Sequence, residues 1–268
     1  MSNSLTALKP EYDQLFSTCK VKAGKVAAVQ KEANLLIKNK GRYVSVSNMT
    51  NVPWYVIGIL HGLESSYSFV KHLHNGDPLS ARTVRQPAGR PIKWNPPSTW
   101  ESSATDAVLF KNFDKWSDWT VAGLLFKFES YNGFGYRAAS VNIKSPYLWS
   151  FSTHYSAGKY ASDGVFDRNL VSQQCGAAVL LAALSELGAV SIQESPTMSK
   201  EDALIKIMSL GQTVKYSTSV FSDAAASLQH ALNVYLSGAL EVDGYPGRNT
   251  SDEYKRVSKR WLSGDPRN

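Results

Sequence analysis

Along residues 11–38, EYDQLFSTCKVKAGKVAAVQKEANLLIK, the apolar positions Val26, Val29, Ala33, Leu36 and Ile37 fall three and four residues apart with lysines between them. That spacing predicts an amphipathic helix. Residues 44–52, VSVSNMTNV, hold no such period and read as a polar connection. Pro53 suits a first helical turn, and WYVIGILHGLE carries the helix on with almost no polar face, which predicts a central helix buried on most sides. From 74 to 99 the pattern breaks: HNGDPLSARTVRQPAGRPIKWNPPST is punctuated by Gly76, Pro78, Pro87, Gly89, Pro91, Pro96 and Pro97, which predicts turns and short strands. STWE at 98–101 has the form of a capping box, with Ser98 as N-cap and Glu101 reaching back. Helices are expected over 99–113 and 118–130, the second stopped by the glycines of YNGFGYR, and over 172–188, SQQCGAAVLLAALSELG, ending on Gly188.

After Gly188 the composition shifts, and AVSIQESPTMSKEDA reads as a connector into a further helix. The expected domains are 1–195 and 196–268. The expected class is α+β, mainly α, with the β part confined to one loop-rich lobe after the central helix and a small helical module at the end.

A hydrophobic share of 43% supplies a core and argues against wholesale disorder. The net charge of +7 favours polyanionic partners without naming one. No helix-turn-helix or zinc pattern stands out among the dispersed basic residues, so nucleic acid is not expected as a partner. Cys19 and Cys175 form neither a disulfide framework nor a metal-ligand spacing and read as buried or half-buried thiols. His61, His72, His74 and Asp77 invite a metal, but without an HExxH helix or cysteine partners no metal and no cofactor is expected. The first residues, MSNSLTALKPEYDQLF, lack a signal-peptide pattern, and no apolar run reaches the roughly 18 residues of a membrane span. The expectation is a chain made in the cytoplasm, without stable membrane insertion.

The candidate chemistry lies where the apolar helix ends. Cleaving a glycosidic bond takes a proton donor, and a carboxyl among apolar groups stays protonated and can donate. Glu64, at the end of WYVIGILHGL, occupies such a place. Asp77 supplies a base if the following loop folds back over the helix end, and a hydroxyl such as Thr83 can hold the water. Plainer roles fit the same residues: Glu64 as a helix-end carboxylate beside a lysine, Asp77 as the turn residue of NGDP, Thr83 as a strand residue. Glu129 reads as a structural carboxylate bonded to backbone. Most of the tryptophans read as core, with one or two free to stack on sugars alongside Tyr131 and Tyr136. Arg82, Arg85, Arg90 and Lys93 suit either a solvated loop or an anionic glycan.

ILHGLESSYSF resembles the helix-end Glu-Ser motif of lysozyme-like muramidases and lytic transglycosylases, and Asp77 to Thr83, Asp-x5-Thr, matches the spacing within the Glu/Asp/Thr triad of phage-type lysozymes. The twelve residues between Glu64 and Asp77 exceed the gap in those enzymes. ESYNGFGYR is similar to the segment lining their sugar groove, and HLHNGDPL, YNGFGYR and SPYLWS follow in order within residues 50–185. The resemblance implies a lysozyme-like domain acting on bacterial peptidoglycan between N-acetylmuramic acid and N-acetylglucosamine, as a monomeric phage endolysin would. It implies Glu64 as acid, Asp77 as base and Thr83 as water holder. It further implies Ser65, His74, Tyr131, Asn132, Tyr136 and Arg137 as substrate-binding residues. The alternatives are a lytic transglycosylase that uses Glu64 alone and a non-catalytic wall-binding or virion protein. The tail, SLQHALNVYLSGALEVDGYPGRNTSDEYKRV, resembles a small three-helix peptidoglycan-binding module: Leu228, Gln229, Leu232, Asn233, Val242, Asp243, Gly244, Gly247 and Thr250 match in order, and the close SKRWLSGDPRN departs from it.

Overall fold

In the computed structural model, residues 3–93, 99–162, 164–192, 199–238 and 240–268 are described. The fold is α+β and mainly α: eleven α-helices and one two-stranded sheet among the described residues. It divides into two compact units, Leu15–Gln193 and a second made of Met1–Gln14 with Glu194–Asn268. The division after Gln193 falls close to the expected one near 195, but the first fourteen residues group with the tail.

In the larger unit, α2 (Val26–Lys38), α3 (Lys40–Thr50) and α8 (Ala177–Glu186) pack around α4 (Trp54–Ser65). Every residue of α4 from Val56 to Leu63 is buried. That is why its sequence lacks a polar face. Two small residues let its neighbours close in: a Cβ at Gly58 would lie 2.8 Å from the Leu36 side chain, and one at Gly62 2.5 Å from the Tyr67 ring. Helices α5 (Trp100–Phe110), α6 (Val121–Asn132) and the single turn α7 (Pro146–Trp149) complete the unit.

Four expectations need correction. The helix expected over 11–38 is two helices, α1 (Leu5–Ser17) and α2, because Val21 bridges to Ser152 and the backbone of Lys22 bonds Phe151, holding that stretch extended. The expected connection over 44–52 lies largely within α3, whose buried Tyr43, Val46 and Thr50 sit at helical spacing beneath polar neighbours of weak helix propensity. No strand forms among the described residues of 74–93, where backbone bonds go to turns; the sheet pairs β1 (Lys159–Ser162) with β2 (Val165–Asp167), antiparallel, elsewhere in the chain. Ser98, the expected N-cap, lies outside the described residues; Thr99 caps α5 by accepting the Ser102 amide at 3.1 Å, and Glu101 turns instead to Arg42 at 2.6 Å. The glycine stops hold: Gly133 (φ +90°) follows α6 and Gly188 (φ +66°) follows α8.

The second unit packs α9 (Lys200–Leu210), α10 (Asp223–Leu236) and α11 (Arg248–Ser258) on a core that includes Ile207, Leu228, Leu232 and Leu262. Lys9 and Asp13 of α1 act electrostatically on His230 of α10, consistent with α1 belonging here up to Gln14. The buried Gln229 side chain organises the α10–α11 turn. Its amide donates to Asp243 at 2.7 Å and Thr250 at 3.0 Å, and its carbonyl accepts the Gly244 amide at 2.8 Å. Asn233 clasps both backbone groups of Leu240. Several of the residues that carry the tail's sequence pattern are therefore those that close its turn.

Replacing Gln229 with Leu leaves the Gly244 amide and Thr250 hydroxyl buried without these partners, and is expected to destabilise the tail unit by roughly 2–3 kcal/mol. Hydrogen exchange checks this: the amides of α10 and α11 should lose protection while those of α4 keep theirs.

Candidate functional site

Helix α4 ends at Ser65, followed by Ser66 (φ 51°) and Tyr67 (φ 61°), both left-handed. The chain then doubles back. His72 donates its amide to the Asp77 carbonyl at 2.7 Å, and Gly76, at φ +73°, comes so close that a Cβ there would lie 2.6 Å from the Glu64 carbonyl oxygen. The loop therefore does fold over the helix end, and only glycine fits that approach without strain.

Glu64 is half-buried. The Tyr147 hydroxyl donates to its Oε1 at 2.7 Å. Burial pushes the Glu64 carboxyl up to about 7; the Tyr147 bond and the Lys111 charge pull the other way and lose. Tyr131 is a second neighbour: Glu64 acts on it electrostatically, its hydroxyl donates to the Leu73 carbonyl at 2.9 Å, and the Lys111 ammonium lies 5.0 Å from its ring centroid. The result is a carboxyl that keeps its proton up to about pH 7, framed by two tyrosines and a lysine.

Asp77 is the opposite case. Its buried carboxylate accepts the amides of Val84 (2.9 Å) and Arg85 (3.0 Å) and the Arg85 guanidinium (2.5 Å). Burial alone would raise it, but the Arg85 and Val84 bonds outweigh burial and hold it at about 2. The Thr83 hydroxyl, also buried, donates to the Pro87 carbonyl at 2.5 Å and accepts the Arg90 amide at 2.9 Å. Both residues lie in the loop that reaches Glu64, and in this state their polar atoms serve that loop.

Of the residues implied to bind substrate, Tyr131 lies beside Glu64. Ser65 is buried and bonds back to the His61 carbonyl at 3.1 Å. His74 is buried, lowered to about 4 by burial against the pull of Asp106, which it meets at 2.8 Å. Asn132 is exposed, and the buried Tyr136 hydroxyl accepts the Tyr160 amide at 3.3 Å. Arg137 forms a two-pronged pair with buried Glu129 at 2.9 and 2.8 Å, so Glu129 has a guanidinium partner where a backbone bond was expected. Arg90 is likewise held by Asp106, and Arg82 by the Ile92 carbonyl. Trp94, one of the tryptophans, lies outside the described residues. Among the described residues no group of three or more His, Cys, Asp or Glu could hold a metal ion. Likewise, no helix is long and apolar enough to cross a membrane.

Tyr147 and Lys111 escape a reading by sequence. Tyr147 lies in SPYLWS, eighty-three residues beyond Glu64, and nothing in its spacing shows that α7 delivers its hydroxyl there. No protein-family model matches the chain, and neither does any curated protein or solved structure.

Two outcomes follow from the Glu64 environment. Because the Tyr147 hydroxyl favours the charged carboxylate, Tyr147→Phe should move the Glu64 titration midpoint upward, read by carbon-13 NMR of the carboxyl. A carboxyl raised on folding contributes stability that is fully present below its unfolded value and is lost as pH rises through about 7. Glu64→Gln should thus leave the melting temperature unchanged near about pH 4 and stabilise by roughly 1–3 kcal/mol near about pH 8.

Proposed function

We propose that this chain is a lysozyme-like glycosidase of the endolysin type that cleaves peptidoglycan between N-acetylmuramic acid and N-acetylglucosamine, with Glu64 as general acid. The observation that carries the reading is a carboxyl raised to about 7 at the end of a buried helix, one oxygen held by Tyr147. A neutral carboxyl in that pH range can pass its proton to the leaving glycosidic oxygen as the C1–O bond breaks, leaving positive charge on C1 and the ring oxygen. Tyr147 fixes which oxygen faces that task and stabilises the carboxylate left behind. The tail, whose turn is built by Gln229, Asn233, Asp243 and Thr250, serves as a second wall-binding unit in this reading and raises the local substrate concentration.

Two readings of the next step differ at Asp77. In hydrolysis, Asp77 takes a proton from the water that attacks C1, and Thr83 positions that water. The ionisation states suit such a pair between about pH 2 and 7, where Glu64 keeps its proton and Asp77 is charged. In a lytic transglycosylase the muramic 6-hydroxyl closes onto C1, giving its proton to the carboxylate left on Glu64, and no water is activated. A specific observation favours this second reading: three donors already occupy the Asp77 carboxylate, leaving it a weak base, and the Thr83 hydroxyl is bonded at both ends.

Glu64→Gln should lower cleavage of purified peptidoglycan by about 10²–10⁴-fold with the fold retained. Near-wild-type turnover by that folded variant would sink the assignment and favour a non-catalytic wall binder. Wild-type activity should fall as pH rises through about 7, where Glu64 loses its proton, and should not fall on the acid side until pH approaches about 2. Mass spectrometry of the products separates the two readings. Reducing-end muramic acid, with most activity lost in a folded Asp77→Asn variant, marks the hydrolase. 1,6-Anhydro ends, with activity kept in that variant, mark the transglycosylase.

A further inference from the structure

Four elements supply the polar groups around Glu64. Helix α4 carries Glu64 itself, α6 carries Tyr131, α7 carries Tyr147, and Lys111 directly follows α5. The Tyr147 hydroxyl is taken by Glu64 and the Tyr131 hydroxyl by the Leu73 carbonyl. Lys111 differs from both. Its ammonium lies 5.0 Å from the Tyr131 ring centroid and acts electrostatically on Glu64, yet among the described residues it makes no hydrogen bond and no ion pair. The ring attracts the ammonium without using any of its three N–H donors.

The charges nearby leave Lys111 without a counterion. Glu64 keeps its proton up to about pH 7 and offers no negative charge below that. Lys127 of α6 is close enough for the two lysines to repel, and its own ammonium donates to the Lys111 and Asn112 carbonyls at 3.4 and 3.5 Å. The exposed Asp114 acts on Lys127. The arginines of the loop that covers the helix end are engaged elsewhere: Arg85 with Asp77, Arg90 with Asp106, and Arg82 with the Ile92 carbonyl. Beside Glu64, the cation with donors to offer is Lys111.

We propose that Lys111 determines specificity, its ammonium pairing with a carboxylate that the glycan carries beside the bond to be cleaved; this rests on the glycosidase reading above. In peptidoglycan that carboxylate is the lactyl group of N-acetylmuramic acid or, where a peptide caps it, an acid of that peptide. The lactyl ether stands on one of the two sugars that flank the bond, so the anion starts next to the oxygen that Glu64 protonates. Chitin has the same sugar backbone and no carboxylate. A charged donor forms a stronger bond with a carboxylate than with a neutral acetamide, so an ammonium without a counterion separates the two glycans. A lysine that served only to stabilise the Glu64 carboxylate after proton transfer would favour neither.

The test is calorimetric binding to the full chain carrying Glu64→Gln, so that no glycan is cleaved during the measurement. Three tetrasaccharides are compared: chitotetraose, alternating N-acetylglucosamine and N-acetylmuramic acid with free lactyl carboxylates, and the same glycan bearing its peptides. At least one of the two anionic glycans should bind about 10-fold more tightly than chitotetraose, and which one does identifies the carboxylate that is read. Adding Lys111→Met should erase that preference, and Lys111→Arg, which keeps the charge, should retain most of it; circular dichroism checks that both are folded. With Glu64 in place, Lys111→Met should also raise the Glu64 titration midpoint, read by carbon-13 NMR, because the Lys111 charge lowers it. Equal binding of all three glycans overturns the inference and leaves the proposed function standing. A preference that survives in Lys111→Met, or a Glu64 midpoint that does not move, overturns it as well. If no glycan binds, the proposed function falls and this inference falls with it.

Discussion

Helix α4 has to end inside the protein. Enclosed by α2, α3 and α8, it cannot hand its last carbonyls to water, and a helix terminus buried without partners is costly. The surrounding structure answers that demand group by group. Gln174 reaches across to the Leu63 carbonyl, Ser65 bonds back to His61, and the amides of Ser66 and Tyr67 take the Gly62 and His61 carbonyls. Gly76 lays the returning loop against the Glu64 carbonyl. One side chain at this terminus is a carboxyl, and the same enclosure that makes the helix end costly pushes Glu64 toward its neutral form.

The loop that covers the terminus has a different economy. It has little regular structure of its own, so its polar backbone is held by side chains: Asp77 by taking two amides and a guanidinium, Thr83 by linking Pro87 to Arg90, and Asp106 of α5 by holding both Arg90 and His74. His72 ties Ser103 of α5 to the Ala81 carbonyl. Two carboxylates that lie close in sequence thereby end in opposite states. Glu64 has one hydroxyl donor and much protein around it, while Asp77 has three donors, one of them a cation. Burial is common to both; the number and charge of the donors decides the sign.

The two units also differ in electrostatic character. The larger one carries the whole excess of positive charge, and its most basic stretch, residues 20–40, runs through α2. The smaller one is close to neutral and spends its polar side chains on closing its own turn, through Gln229 and Asn233, and on fastening its C-terminus, where Arg267 pairs with Asp252 and Asp265.

What the sequence determined by itself was whatever depends on neighbours along the chain. The unbroken apolar run of WYVIGILHGL required a buried helix, the Gly and Pro punctuation after residue 74 required turns, and Gly133 and Gly188 stopped helices because only glycine enters their backbone conformation at no cost. The position of Glu64 at a buried helix end was legible for the same reason. What only the tertiary structure decided was whatever depends on residues far apart in sequence. The break between α1 and α2 comes from Val21 pairing with Ser152, and α3 forms because Tyr43, Val46 and Thr50 find a core that outweighs their weak helix propensity. Tyr147 reaches Glu64 only because α7 packs on α6 and α8. The Glu64 and Asp77 carboxyls diverge for that reason too: a pKa follows burial and the donors within a few ångströms, and those are set by packing across the fold.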